Sequence, residues 1–454
     1  MTVLKRKAYQ KLLSWKEEQN GKSALLINGA RRVGKSYLAE EFGKREYKSY
    51  IIINFAEQNE YNELFSKETS DLDLFFNKLS VTANVKLYRR ESLIILDEIQ
   101  MFPLARQRLK KLVADGRYDY IETGSLLSIK TNVKGIVIPS EESSINLYPL
   151  DFEEFLWSLD DDISIPFITD CFEKKMPVGD AIHQKMTNHL REYMLVGGMP
   201  QAVLEYIDTK DFARVDGVKR RILNLYRNDI GKFATGYEKK VTAAFDQIPS
   251  QLSKKEKRFR LSSLGVNARM RTYESAFMWL EDGMITNQCY NATDPSFGLN
   301  MSLDESTMKC YMGDTGLLVT HALFDSGYAN NNLYREILLD RLNVNEGMLM
   351  ENYVAQMLRA NDHRLFFYSR PRNEERRYSI EIDFLIKMGG RIHPVEVKSS
   401  GSTHHASLDR FREKFAKRIG MPIVICPKDL KVENGVLFIP LYMAILLRQD
   451  VNLE

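Results

Sequence analysis

Gly29-Ala30-Arg31-Arg32-Val33-Gly34-Lys35-Ser36 is a complete G-x-x-x-x-G-K-S octet, and it directly follows the apolar run Ala24-Leu25-Leu26-Ile27. An apolar strand, a glycine loop and a helix in that order build a cradle for phosphates. The glycines let successive backbone N–H groups turn toward an anion, and the helix that opens at Lys35 aims its positive end at it. Lys35 adds a point charge, and Ser36 supplies the hydroxyl that ligates Mg²⁺. Residues 29–36, with Tyr37 at the head of the helix, are therefore expected to bind a nucleoside triphosphate. The octet read alone is also compatible with an ordinary glycine turn, but its strand-loop-helix setting argues for the phosphate site.

Outward from the octet, the chain alternates apolar strands (24–28, 50–54, 93–96, 120–123) with helical patterns (35–43, 71–87, 104–113), the grammar of a parallel α/β sheet. The strand Ser92-Leu93-Ile94-Ile95-Leu96-Asp97-Glu98 delivers two acids at its carboxyl end, where ligands sit in open parallel sheets. Asp97 is expected in the Mg²⁺ shell, and Glu98 as the group that polarises a water in line with the γ-phosphate. Thr123 and Ser125 end the next strand. Each is a candidate γ-phosphate sensor, although strand ends carry hydroxyls for turn reasons as well.

The chain has 454 residues, 44% apolar and 28% charged, the composition of a soluble globular protein with more than one domain. A net charge of +3 means that any affinity for nucleic acid must come from local clustering. Cys171, Cys289, Cys310 and Cys426 are scattered, with no C-x-x-C pair, so neither a disulfide framework nor a zinc module is encoded and a cytoplasmic location is expected. No stretch is long and apolar enough to span a bilayer, and the first residues lack the apolar core of a secretion signal.

After Tyr148-Pro149-Leu150 the pattern turns to long helices (152–159, 180–193, 216–233) broken by Gly197-Gly198-Met199-Pro200. Residues 237–321 carry short helices, then a helix that ends in glycine and leads into an extended segment at 279–285, as in a winged helix-turn-helix. Beyond Asn330-Asn331-Asn332 come a helix (347–360), a strand hairpin (377–387 and 392–398), a helix (407–418) and a strand (423–426), a second α/β unit. The expected domains are an ATPase core (1–150), a helical lid (151–236), a winged helix (237–330) and a C-terminal α/β domain (331–454).

The octet, Leu96-Asp97-Glu98-Ile99-Gln100, Thr123-Gly124-Ser125, Leu147-Tyr148-Pro149-Leu150-Asp151-Phe152-Glu153-Glu154-Phe155 and Gly197-Gly198-Met199-Pro200 together resemble bacterial and archaeal AAA-type ATPases that carry a C-terminal restriction-endonuclease-like domain of uncharacterised function. The resemblance spans nearly the whole chain. It implies ATP as the nucleotide, Mg²⁺ as its metal, a P-loop sheet of order 5-1-4-3-2, a helical lid, a winged helix and a PD-(D/E)XK-like α/β domain. One departure concerns the arginine finger. Relatives carry a Gly-Arg pair where this chain reads Ile138-Pro139-Ser140-Glu141-Glu142-Ser143-Ser144. Arg106, Arg108 and Arg117 are the substitutes at hand, and solvated arginines on a helix surface are the simpler expectation for them.

Two further patches carry chemistry. Lys254, Lys255, Lys257, Arg258, Arg260, Arg269 and Arg271 face the single acid Glu256 between Gln251 and Arg271, an electrostatic footprint for DNA phosphates or a basic face packed on the protein itself. At the C-terminus, Asp383 precedes a hairpin turn and Glu396-Val397-Lys398 follows it, the D…E-x-K pattern of restriction-type nucleases, with Glu351 on the preceding helix as a fourth member. On a strand, Glu396 and Lys398 share one face beside Asp383. Carboxylates so close repel by about 4 kcal/mol per pair at an effective dielectric of 20, a conflict that a divalent cation resolves. In the catalytic reading Asp383 and Glu396 hold Mg²⁺ and Lys398 orients water. The other reading is a fold that keeps its shape without the chemistry. His404 and His405 are expected at the surface. The function expected is an ATP-hydrolysing enzyme whose nucleotide state controls DNA binding, with metal-dependent cleavage open, alongside a slow regulatory switch with a non-catalytic C-terminal module. A homo-oligomer or a protein partner fits either.

Overall fold

A computed structural model describes residues 3–57, 60–66, 71–124, 142–254, 257–265, 268–296, 298–324, 331–338, 346–370, 379–399 and 405–453. Ser125, Ile138 to Glu141, Lys255, Glu256 and His404 lie outside the described residues. The chain forms two compact units, Lys5–Tyr148 and Pro149–Glu454 together with Met1–Leu4.

The first unit runs α1 (Ala8–Gln19), β1 (Ala24–Gly29), α2 (Lys35–Glu46), β2 (Ser49–Asn54), α3 (Glu60–Ser66), α4 (Leu72–Ala83), β3 (Ser92–Asp97), α5 (Pro103–Asp115), β4 (Asp119–Gly124) and β5 (Glu142–Leu147). Its strands pair in the order β2-β3-β4-β1-β5, every neighbour parallel, which is the P-loop order the family resemblance implied. β1, β3 and β4 are buried along their whole lengths, as apolar strands covered on both faces must be. One face packs Leu26, Ile53, Ile94 and Tyr120 under Phe65, Phe75 and Leu109 of α3, α4 and α5. The other packs Leu25, Ile27, Ile95 and Ile121 under Leu12 and Phe42 of α1 and α2. Local signals set the helix ends: the Asp71 carboxylate accepts from the Asp73 and Leu74 amides at the start of α4, and Pro103 opens α5. β5 is not announced by its sequence, Glu-Ser-Ser-Ile-Asn-Leu, which alternates partly exposed and polar positions along a sheet edge. Register makes it: Ala24 pairs with Glu142 and Gly29 with Leu147.

The second unit opens with helices α6 (Phe152–Trp157), α7 (Ser164–Glu173), α8 (Asp180–Val196), α9 (Pro200–Thr209), α10 (Phe212–Phe233), α11 (Glu238–Leu252) and α12 (Met270–Asp282). It continues through β6 (Thr286–Ala292), β7 (Leu303–Met312), α13 (Thr315–Ala322), α14 (Asn331–Leu338), α15 (Glu346–Ala360), β8 (Leu365–Arg370), β9 (Ile380–Met388), β10 (Arg391–Val397), α16 (Ala406–Phe415), β11 (Ile423–Cys426), β12 (Lys431–Glu433) and β13 (Val436–Pro440). The expected strand hairpin at 377–398 is β9 and β10, with Val395 opposite Phe384. The antiparallel pair β6 and β7 does not stand apart from it. β6 also pairs in parallel with β8, so one mixed sheet of order β12-β13-β11-β10-β9-β8-β6-β7 runs across the expected seam at 330. α16 covers one face through Phe411 and Phe415.

The segment Pro149-Leu150 is anchored inside this unit by the glycine motif. Leu150 N–H donates to Gly198 O at 2.7 Å, and the Tyr193 hydroxyl donates to Leu150 O at 2.5 Å. A Cβ at Gly198 would fall 2.0 Å from Leu150 O, so only glycine fits. Gly198 N–H in turn donates to buried Asp314, and Gln356 of α15 bridges Tyr193 and Thr315.

Candidate functional site

At the carboxyl ends of the first unit's strands the octet, Asp97 and Thr123 come together. Gly34 sits at φ 97°, in the left-handed region that opens the loop into α2. Gly29 has a different reason to be glycine: a Cβ there would lie 2.6 Å from the carbonyl oxygen of Leu147 on β5. Lys35 is buried and its ammonium donates to Gly29 O and Ala30 O, both at 3.0 Å, so the charge is held at the throat of the loop. Arg31, Arg32, Ser36 and Tyr37 are exposed, whereas Ala30 and Val33 pack inward. Arg6 donates to Val33 O at 3.1 Å and to Tyr148 O at 2.6 Å, bracing the loop from behind.

One oxygen organises the acid side. Asp97 Oδ1 accepts from the Ser36 hydroxyl at 2.7 Å and from the Thr123 hydroxyl. Ser36, Asp97 and Thr123 are thus one hydrogen-bonded chain across three elements, α2, β3 and β4. This donor set of hydroxyl and carboxylate oxygens, beside a glycine loop, fits Mg²⁺, a hard cation that prefers oxygen ligands. Glu98 follows with φ 53°, a left-handed conformation uncommon for glutamate and frequent at functional sites. Its carboxylate accepts from the Gln100 amide, a partner present in the sequence motif but not assigned a role from it.

The three substitute arginines have other tasks. Arg106, expected in solvent, is buried: its guanidinium binds Glu142 of β5 at 2.7 and 2.8 Å and lies 3.3 Å from Glu122 of β4. The reason is the unannounced fifth strand, which brings a second carboxylate against the first. Burial, and then the Glu142 charge, push the Glu122 carboxyl well above the ordinary range, with Arg106 opposing them. Arg108 donates to Ser66 O, and Arg117 pairs with Asp115 and Asp73 over the Phe76 ring.

In the second unit, Glu351, Asp383, Glu396 and Lys398 are brought to one region of the mixed sheet, together with a residue the sequence did not single out. Lys309 of β7, 1% exposed, places its ammonium 3.2 Å from Asp383, 3.4 Å from Glu381 and 3.7 Å from Glu351. The other Asp383 oxygen accepts from the Val397 amide at 3.0 Å, Tyr311 donates to Glu351 at 3.1 Å, and Lys398 pairs with Glu396. Lys257, counted in the basic patch, is buried and ion-paired with Glu351. Burial alone would lower the Lys309 pKa, but the surrounding carboxylates more than reverse it and the ammonium stays charged. Burial, then the Asp383 charge, raise Glu351. These two directions pull against each other. Three acids, Asp383, Glu381 and Glu351, face two ammonium groups, Lys309 and Lys257, which leaves one negative charge in excess. Burial also raises Glu396, against the pull of Lys398. Among the described residues, no group of three or more His, Cys, Asp or Glu side chains is arranged to hold a metal ion. His405 is partly buried and pairs with Asp409.

Residues 21–156 match the family described as "AAA domain", residues 187–327 match "Domain of unknown function (DUF8612)" and residues 346–444 match "Domain of unknown function (DUF4143)". An uncharacterized protein of Haemophilus influenzae is 21% identical over 234 residues, half of this chain, and the chain spans only 56% of that relative. Solved structures similar to it include the Aeropyrum pernix ORC1 protein in complex with DNA, at 12% identity and TM-score 0.26, covering 72% of this chain and 94% of that one. The Hsp104–ADP complex of S. cerevisiae, at 11% identity and TM-score 0.28, covers 79% and 52%. The parallel sheet order and the matched AAA domain identify the first unit as a P-loop AAA-type ATPase domain.

Proposed function

We propose that the chain is a Mg²⁺-dependent ATPase whose nucleotide state governs DNA binding by residues 149–454. The observation that carries this reading is the Ser36–Asp97–Thr123 chain of hydroxyls and carboxylate beside the glycine loop, with Glu98 next in sequence. Bound Mg²⁺ supplies charge neutralisation at the γ-phosphate. Ser36 and Asp97 are the residues that would hold it. The loop amides and Lys35 bind and orient the triphosphate, Glu98 accepts the proton of the attacking water, and Gln100 keeps that carboxylate aimed. Thr123 ties β4 to the acid. Because Arg106, Arg108 and Arg117 are each engaged elsewhere, none is poised as a finger, and turnover in the isolated protein is expected at about 10⁻² s⁻¹ or slower.

Phosphate release and calorimetric ATP binding test this together. Glu98→Gln should retain ATP binding while losing at least about 100-fold in turnover, and Lys35→Ala should lose binding. Equal ATP affinity in Lys35→Ala and the parent chain would overturn the nucleotide site. DNA association is supported by Arg260, Arg269 and Arg271, which are exposed within one short segment.

The C-terminal domain has a second reading, favoured by the ammonium of Lys309 among its carboxylates: a binding module without cleavage chemistry. Plasmid nicking with Mg²⁺ or Mn²⁺ that disappears in Glu396→Ala would contradict it.

A further inference from the structure

Four features of the second unit bear on the acidic cluster. First, Lys309 Nζ of β7 lies within 3.2–3.7 Å of an oxygen from each of Asp383 and Glu381 on β9 and Glu351 on α15. Second, its side chain is 1% exposed, and the Phe367 ring lies 5.3 Å away, so the ammonium is fixed in place by its surroundings and does not wander in solvent. Third, two of the oxygens that point away from Lys309 are taken: Asp383 Oδ2 accepts from Val397 N–H, and Glu351 Oε1 pairs with Lys257. Fourth, the charges nearly cancel, three carboxylates against two ammonium groups. A divalent ion placed at the centre of these oxygens would sit within van der Waals reach of a buried cation, and the repulsion between them is unscreened by water.

Building on the non-catalytic reading above, we propose that Lys309 is the resident cation of this cluster, and that Asp383, Glu381 and Glu351 take up a divalent metal ion only when Lys309 is removed. At Asp383 the lysine does electrostatically what the sequence pattern assigns to Mg²⁺, while Glu396, the other acid of that pattern, pairs with Lys398. Lys309 joins β7 to β9 and α15, and it leaves a latent oxygen-ligand site beneath it. Oxygen ligands from two elements, 3.2–3.7 Å from one point, need to close by about 1 Å to reach the 2.0–2.6 Å of Mg²⁺ or Ca²⁺ ligation.

The test uses the full nucleotide-free chain and Mn²⁺ as probe, with free Mn²⁺ read by electron paramagnetic resonance. The parent and Asp383→Asn chains should take up equal Mn²⁺. Lys309→Met should gain one site, at least about tenfold tighter than any in the parent, and Lys309→Met/Asp383→Asn should lose it again. An Asp383-dependent Mn²⁺ site in the parent chain overturns the proposal, and so does a folded Lys309→Met chain that gains nothing. If Lys309→Met does not fold, the parent against Asp383→Asn still decides: equal uptake supports a resident cation, unequal uptake overturns it. Plasmid nicking in the same samples separates the two ideas. Asp383-dependent Mn²⁺ uptake without nicking sinks only the resident cation, whereas Glu396-dependent nicking sinks the non-catalytic reading.

Discussion

Glu122 has no exposed atom, its two oxygens lack a hydrogen-bond donor, and its nearest charges are a carboxylate and one shared guanidinium. Its pKa is raised in the folded state, so between the unfolded value near 4.5 and the raised folded value the native chain holds a proton that the unfolded chain releases. Stability from this group is therefore greatest below the unfolded value and declines as pH climbs toward the folded one. Glu122→Gln removes the titration and keeps the shape. The melting temperature of the variant, followed by calorimetry from pH 5.5 to 8, should fall less than that of the parent, and at pH 8 the variant should equal or exceed it. A loss of about 3 kcal/mol or more at pH 8 would instead mean that Glu122 is ionised and is a true partner of Arg106. The same residues show what a sequence reveals. Gly34, Lys35, Ser36, Asp97 and Glu98 were legible because a phosphate loop and a strand end are local patterns with fixed spacing. Arg106, Lys257 and Lys309 were not, because whether a cation is solvated or buried depends on carboxylates up to 94 positions away in the chain, as Lys257 and Glu351 are.

At the scale of elements, the buried strands β1, β3, β4 and β11 were readable as apolar runs, whereas β13, equally buried, was not, and the helices given limits from the sequence appeared within a few residues of them. β5 escaped because an edge strand needs neither apolar residues nor alternation; backbone pairing with β1 suffices. Of the antiparallel pair β6 and β7, the sequence showed only an extended segment following a helix, and the partner β8 lies 53 residues or more beyond the end of β7, a distance that no periodicity spans. The basic segment before α12 changes most. Lys257 is withdrawn from its surface by Glu351, which leaves Arg260, Arg269 and Arg271 as its exposed charges among the described residues. If this segment grips DNA phosphates, replacing Arg269 and Arg271 with alanine should weaken duplex binding and reduce the slope of log K against log salt by about 2, while Lys257→Ala should leave that slope unchanged and lower stability. Fluorescence anisotropy across a salt series reads both, and a slope unaltered by the arginine pair would remove this segment from the interface.

For the whole molecule, the division at Tyr148 and Pro149 places the described residues of the proposed nucleotide site in one compact unit and those of the acidic cluster in the other. A ligand that binds only the first should stabilise it by mass action, by about 2.7 kcal/mol at 100 times its dissociation constant. For a unit of this size that corresponds to a rise of roughly 5 °C or more in its melting temperature. Chains with two cooperative units often melt in more than one step. Calorimetry with saturating ATP analogue and Mg²⁺ should therefore move one transition upward, and Lys35→Ala should abolish the shift. The second transition tests whether the nucleotide signal is passed on. Leu150, three residues past Leu147, which abuts Gly29, is clamped by Gly198 and Tyr193, and Gln356 carries that clamp to α15, the helix of Glu351. If the clamp transmits nucleotide state, both transitions respond in the parent chain, and Gln356→Ala confines the response to the first. A second transition indifferent to nucleotide in the parent chain would mean that the two units act separately, and the control of DNA binding by ATP would then need another route.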